Sequence, residues 1–120
     1  MSEYGKFGPL IGAIDEGTSS ARFIIFKANS SEVVAYHQKE LEQIFPQEGW
    51  VEQDPNAILE VVTTCIQKAV ESLVSLGGSA RIYCCWCNYQ RETTIVWDRS
   101  TGKPLHNAIV WLDMRTSSTI

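Results

Sequence analysis

A run of apolar residues at helical spacing, bracketed by start and stop signals, constrains this chain more than any other feature. Ile58, Val61, Val62, Cys65, Ile66, Ala69, Val70 and Leu73 recur every three or four positions, which places them on one stripe of an α-helix. Asp54-Pro55 stands before the stripe and Gly77-Gly78 after it. Asp can accept from the free N–H groups of a first turn, Pro has its φ preset for the first helical position, and Gly takes the left-handed backbone that closes a last turn. Such a helix must lay its stripe on something, and what precedes it reads as sheet. LIGAIDE (10–16) and ARFIIFK (21–27) are strands, and EVVAYHQKEL (32–41) begins as a third. The short turns GTSS and ANSSE between them imply an antiparallel meander.

Residues 42–54, EQIFPQEGWVEQD, have no sustained period and read as a loop. After the helix, Ile82–Asn88, TTIVWD (93–98) and HNAIVWL (106–112) read as strands, with a second helix expected from Asp113 onward. The order β-β-β-α-β-β-β gives an α/β fold: a mixed sheet with a strand–helix–strand crossover. One full helix covers only one face of such a sheet, so the chain reads as an incomplete domain.

Composition excludes several functions. The net charge is −4 and the ten Lys and Arg residues are scattered, which disfavours a nucleic-acid or anionic-membrane surface. No apolar run reaches transmembrane length. The start MSEYGKFGP lacks the basic stretch and apolar core of a secretory signal. Of the four cysteines, Cys84, Cys85 and Cys87 are crowded together, unlike the spaced cysteines of a secreted disulfide scaffold, so reduced thiols and a cytoplasmic location are expected. Cys65 belongs to the helix stripe. Residues 84 and 85 point to opposite faces of a strand and no fourth ligand has suitable spacing, so a metal site there is disfavoured. A thiol redox role is disfavoured as well. His37 and His106 have no Cys or carboxylate at ligand spacing.

Three stretches can carry chemistry. In DEGTSS (15–20), a glycine hairpin lets backbone N–H groups approach an anion, hydroxyls add hydrogen bonds, and Asp15 can hold Mg²⁺, usually through water. The same residues also make a plain turn. Arg22 can neutralise phosphate or face solvent. Arg91-Glu92 pairs a fork of donors with an acceptor, a combination able to bracket a polyol; it equally describes a solvated charge pair. Trp111 can wall a small carbon skeleton or sit in a core.

Taken together, DEGTSSARF (15–23), FPQEGWVEQDP (45–55), QRETTIVWD (90–98), TGKPLHNAIVW (101–111) and Leu112-Asp113-x-Arg115-Thr116 resemble the FGGY carbohydrate-kinase family, and within it the glycerol kinases. The resemblance covers nearly the whole chain. It implies a ribonuclease-H-like, actin-type ATPase domain that transfers the γ-phosphoryl of ATP to the 3-hydroxyl of glycerol, with Mg²⁺. By motif position Asp15 resembles the Mg²⁺-associated acid. Gly17, Thr18 and Ser19 resemble the phosphate loop, with Arg22 beside them. Arg91, Glu92 and Trp111 resemble the glycerol-binding residues. The family admits homo-oligomers. Its catalytic aspartate and second, adenosine-binding domain have no counterpart in residues 1–120, which match the N-terminal part of the first domain. The expectation is therefore a piece without turnover of its own; the alternatives are a non-catalytic binding module and a degenerate gene product.

Two departures stand out. The family usually has Gln at the position of Glu16. Strand alternation should turn Glu16 away from a cleft that Asp15 faces; if it does approach the phosphates, repulsion at ~5 Å and an effective dielectric of ~20 is about 3 kcal/mol. The family also carries an apolar, glycine-containing strand where this chain reads Tyr-Cys-Cys-Trp-Cys-Asn (83–88). Codons for these residues, read one nucleotide later, give Ile/Thr, Val/Ala, Val/Ala, Gly, Val/Ala and Ile/Thr, which is the family strand. The expectation is a short frameshifted segment. Were the residues genuine, Trp86 in place of glycine should overpack a buried strand by about 1–3 kcal/mol. Resequencing the transcript should restore the apolar strand; Cys and Trp codons in an undisturbed translated frame would contradict the frameshift.

Overall fold

The computed structural model describes residues 4–117. Its elements are β1 (Leu10–Glu16), β2 (Ser20–Lys27), β3 (Val33–Glu40), β4 (Glu52–Gln53), α1 (Pro55–Ser75), β5 (Cys84–Tyr89) and β6 (Ala108–Ile109). The main sheet has the order β3-β2-β1-β5. The first three strands form the expected antiparallel meander, and β5 returns parallel to β1 after the helix.

The helix forms because its ends and its stripe agree. The Asp54 carboxylate accepts from Asn56 N–H at 2.9 Å, and Pro55 opens the first turn. At the other end Gly77 takes φ 88°, so that Gly77 N–H reaches Val74 C=O at 2.9 Å and Gly78 N–H reaches Leu73 C=O at 3.0 Å. These bonds satisfy carbonyls that the helix leaves open. Val61, Cys65, Ala69 and Leu73 are the buried positions of α1. They meet Leu10, Ala21, Phe23, Ile25 and Ala35 from the sheet in one core. Cys65 is a core residue whose thiol lies 3.4 Å from Ala21 C=O. Gly12 admits this packing, since a Cβ there would lie 2.5 Å from Phe23 Cζ.

α1 covers β1, β2 and β3. The opposite sheet face is left open, with Ile11, Tyr36 and Trp86 exposed. β5 is the outer strand and all of its residues are exposed, Trp86 at 72%. The overpacking expected of Trp86 therefore does not arise among the described residues, because its side chain stands largely in the open. The burial assumed for that strand was the error.

Four other expectations change. The stretch 42–54 ends in β4, which pairs antiparallel with β6 as a separate two-stranded ribbon. Residues 93–98 are not a strand; they make only isolated bridges, Thr94 to Ile109 and Trp97 to Pro104. The strand expected over 106–112 shrinks to Ala108–Ile109. These segments carry strand-forming residues but pair only locally, and Val96 and Trp97 stay more than half exposed. Asp113 starts no regular helix within the described residues; its carboxylate instead accepts from Val51 N–H and from Arg115. The remainder of that expected helix lies outside the described residues.

Leu73 is wholly buried whereas Leu59, on the same helix, is 65% exposed. Leu73→Ala is expected to lower unfolding free energy by about 2–5 kcal/mol, and Leu59→Ala by no more than about 0.5 kcal/mol. Denaturant titration followed by far-UV circular dichroism checks the contrast.

Candidate functional site

The parallel pairing of β1 with β5 brings two strand ends out side by side, with Asp15 opposite Asn88 and Glu16 opposite Tyr89. In open α/β sheets, ligands bind in the crevice beyond such carboxyl ends. Here a cleft of about 440 Å³ opens at that place. Asp15, Glu16, Gly17 and Thr18 form one side, from the end of β1 and the turn into β2. Asn88, Tyr89, Gln90, Arg91 and Glu92 form another, and Trp111 joins them from beyond β6. Of the residues singled out in the sequence, Asp15, Gly17, Thr18, Arg91, Glu92 and Trp111 thus line a single cleft, whereas Ser19 and Arg22 are not in its lining.

The hairpin is tight for a stated reason. Gly17 N–H donates to Ser20 C=O at 3.0 Å. A Cβ on residue 17 would lie 2.9 Å from that same carbonyl oxygen, so glycine is required whether or not an anion binds. Arg22 lies behind the turn. It donates to Asp15 Oδ2 at 2.7 Å and to Ser20 Oγ at 2.9 Å, while its buried Nε has no partner among the described residues. Asn88 donates to the other Asp15 oxygen at 3.0 Å. Asp15 is therefore held from two sides, with its side chain one-third exposed at 33%.

Glu16 does not turn away from the cleft as strand alternation suggested. The cleft wraps over the end of β1, so both faces of the strand contribute to its lining. The Glu16 carboxylate accepts from Gln90 Nε2 at 2.9 Å and from Gln90 N–H at 3.4 Å. Trp111 is not a core residue: it is half exposed, and its indole N–H donates to Thr18 Oγ1 at 2.8 Å. Arg91 and Glu92 are exposed at the turn after β5, and Glu92 has φ 66°. A left-handed backbone at a non-glycine residue costs of order 1 kcal/mol, so the surrounding turn must hold it there.

Sequence reasoning missed a second group. Gln53, Gln90 and Thr93 tie the cleft's segments together through buried or half-buried amide and hydroxyl bonds. Gln53 and Gln90 sit inside the quoted blocks GWVEQDP and QRETT, but a glutamine's partners are not legible before the segments meet. Below them lies an ion cluster. Arg115 donates to both Asp113 oxygens and, at 2.8 Å, to Glu52 Oε2. Asn107 donates to Glu52 Oε1 and Val51 N–H to Asp113 Oδ2, while the guanidinium stacks on Trp50 with its carbon 4.0 Å from the ring centre. The hydrogen bonds from Arg115 hold both the Asp113 and the Glu52 carboxyl below the ordinary range. The cluster fastens β4 and β6 to the segment that carries Trp111. Among the described residues no three His, Cys, Asp or Glu side chains converge as metal ligands, including the cysteines of β5.

The described geometry has close counterparts. A model of the FGGY family of carbohydrate kinases, N-terminal domain, matches residues 10–120. A probable glycerol kinase of Caenorhabditis elegans is 56% identical over 110 residues, covering 91% of this chain and 22% of its own length. A glycerol kinase of Arabidopsis thaliana is 50% identical over 115 residues, covering 94% of this chain and 22% of its own. The crystal structure of Plasmodium falciparum glycerol kinase with ADP aligns with a TM-score of 0.87 at 35% identity, over 92% of this chain and 22% of that one. A gluconate kinase from Lactobacillus acidophilus aligns with a TM-score of 0.81 at 22% identity, over 92% of this chain and 21% of that one, a likeness of fold alone. The fold is the ribonuclease-H-like, actin-type one expected from the sequence. The chain spans 22% of the length of both glycerol kinase relatives named here.

The ion cluster gives a pH prediction. Carboxyls held below their ordinary pKa of about 4 contribute stability that is full above that value and is lost as pH falls through their folded values. The Val51 amide shift, which reports on Asp113, is expected to stay flat from pH 7 to below pH 4. In Arg115→Met its titration should move up towards the ordinary range. Titration of the unsubstituted chain at pH 5–6 would contradict the assignment.

Proposed function

The chain belongs to the FGGY family of carbohydrate kinases, and we propose that it supplies the phosphate hairpin and the polyol wall of an ATP:glycerol 3-phosphotransferase. The observation that supports this most is the convergence of Asp15, Gly17 and Thr18 with Arg91, Glu92 and Trp111 on one cleft. In this reading residues 1–120 are the N-terminal part of the first of two domains. The adenosine-binding domain and the catalytic aspartate are contributed by sequence outside these residues. The protein acts in the cytoplasm; no described helix is long and apolar enough to cross a membrane.

Phosphoryl transfer rests on positioning and charge neutralisation rather than on covalent help from the protein. The hairpin at Thr18 faces the phosphates of ATP; Gly17 shapes the turn, its own N–H being donated to Ser20 C=O, while Ser19 and Arg22 act from outside the cleft lining, the one with a hydroxyl and the other with positive charge. Arg91 donates to glycerol hydroxyls, Glu92 accepts from them, and the Trp111 ring covers the carbon skeleton. Neither Arg91 nor Glu92 is committed to another side chain among the described residues, which leaves both heads available to a ligand. Asp15 would hold Mg²⁺ through water: its carboxylate is partly exposed and already accepts from Arg22 and Asn88, a donor set suited to an ion that keeps most of its waters and leans on substrate phosphates. Bound there, the ion would offset phosphate charge.

Glycerol titrated into the chain is expected to shift the Trp111 indole signal in a ¹H–¹⁵N spectrum, and Arg91→Met to abolish the shift. A coupled assay of the 120-residue chain is expected to show no glycerol-dependent ATP consumption. Absence of any glycerol response at Trp111 would overturn the polyol site, and turnover would overturn the division of labour between the two domains.

A further inference from the structure

We infer that Gln53 is a positioning residue that locks the phosphate hairpin to the polyol wall, acting through Gln90 and Thr93. The inference rests on the functional reading above for the names of the two sides, but the lock itself stands on hydrogen bonds alone. Gln53 is 1% exposed. A buried amide must place both its donor and its acceptor, and Gln53 does so across segment boundaries. Its Nε2 donates to Thr18 C=O in the hairpin at 2.6 Å, and its Oε1 accepts from Gln90 Nε2 at 2.9 Å.

The bonds continue in one direction. Thr93 O–H donates to Gln90 Oε1 at 2.7 Å, and Trp111 N–H donates to Thr93 Oγ1 at 3.3 Å. From Trp111 the donors therefore run Trp111 to Thr93 to Gln90 to Gln53 to Thr18. The indole N–H of Trp111 closes the ring on the Thr18 hydroxyl at 2.8 Å. Every member from Thr93 to Gln53 uses its donor on one neighbour while its acceptor serves another, an arrangement in which each bond polarises the next. Gln90 also donates to Glu16 and towards Gly17 C=O, so the hairpin is gripped at Glu16, Gly17 and Thr18 together.

Gln53 is not in the cleft lining, so its effect on a ligand must pass through these partners. With the ring opened, Thr18 keeps only its direct indole bond to Trp111, and the hairpin shifts more readily against it. A glycerol molecule against the ring of Trp111 and a phosphate against Thr18 are held at a fixed separation while it is closed.

The test uses Gln53→Met, which keeps the unbranched shape and removes both amide bonds. Thr93→Val is the second variant; it cuts the ring on the far side of Gln90 without altering a fully buried position. Hydrogen exchange of the Trp111 indole proton is expected to quicken about tenfold in each variant, the loss appropriate to about one net hydrogen bond, although Gln53 does not touch that indole. Exchange of the Leu73 and Phe23 amides in the core is expected to stay unchanged, which a general loosening of the fold would not allow. Unaltered Trp111 exchange in the folded variants overturns the lock, and if Gln53→Met fails to fold, Thr93→Val alone decides it. In the unsubstituted chain, glycerol should also shift the Gly17 and Thr18 amides; in Gln53→Met it should shift Trp111 but not the hairpin. If glycerol shifts nothing in the unsubstituted chain while indole exchange still quickens in the variants, the polyol reading fails and the lock stands.

Discussion

Parallel pairing of β1 with β5 is the contact on which the site depends. The two strands are far apart in sequence and come together only because α1 carries the chain across the sheet and returns it in the same direction. Once Asp15 lies opposite Asn88 and Glu16 opposite Tyr89, the hairpin that follows β1 and the turn that follows β5 must share one rim. The core under α1, with Cys65, Ala69 and Leu73 seated on Phe23 and Ile25, supports that rim from one side. Its contribution is indirect: it fixes where the strand ends emerge.

The rim itself is held by polar groups. Gln53, Gln90 and Thr93 join the hairpin to the Trp111 segment, and Arg115 with Asp113 and Glu52 fastens that segment from below. Nonpolar packing contributes at Val51, Ala108 and Val110, which are buried, but the loop between Tyr89 and Ala108 buries little. Its apolar side chains Ile95, Val96 and Trp97 are exposed. Directional bonds can fix a short ribbon in register where area cannot, provided each buried donor and acceptor is matched. β4 and β6 show how few residues this requires.

The helix, its caps and the meander were legible in the sequence because they rest on local periods and local chemistry. Asp54, Pro55, Gly77 and the stripe ending at Leu73 each announce their role within a few residues. The segments 93–98 and 106–112 misled because Val, Ile and Trp have strand propensity whether or not an edge is available to pair with. Trp86 misled in the opposite sense, since burial was assumed for a strand that is exposed throughout. Asp15, Gly17 and Thr18 could be paired with Arg91, Glu92 and Trp111 only by resemblance; no spacing rule joins segments so far apart. Glu16 faced the cleft because strand alternation ceases to sort side chains where a strand ends. Gln53 and Gln90 carried no signal of their own, because a glutamine reveals its partners only after the segments have met.

The shared cleft is tested most directly by locating glycerol on the chain. Intermolecular NOEs between glycerol protons and the ¹³C,¹⁵N-labelled protein are predicted to reach both the Trp111 ring and the Arg91 side chain, which line the same cleft. NOEs confined instead to Ile11 and Phe26 on the open sheet face, where a separate groove of about 260 Å³ exists, would contradict it.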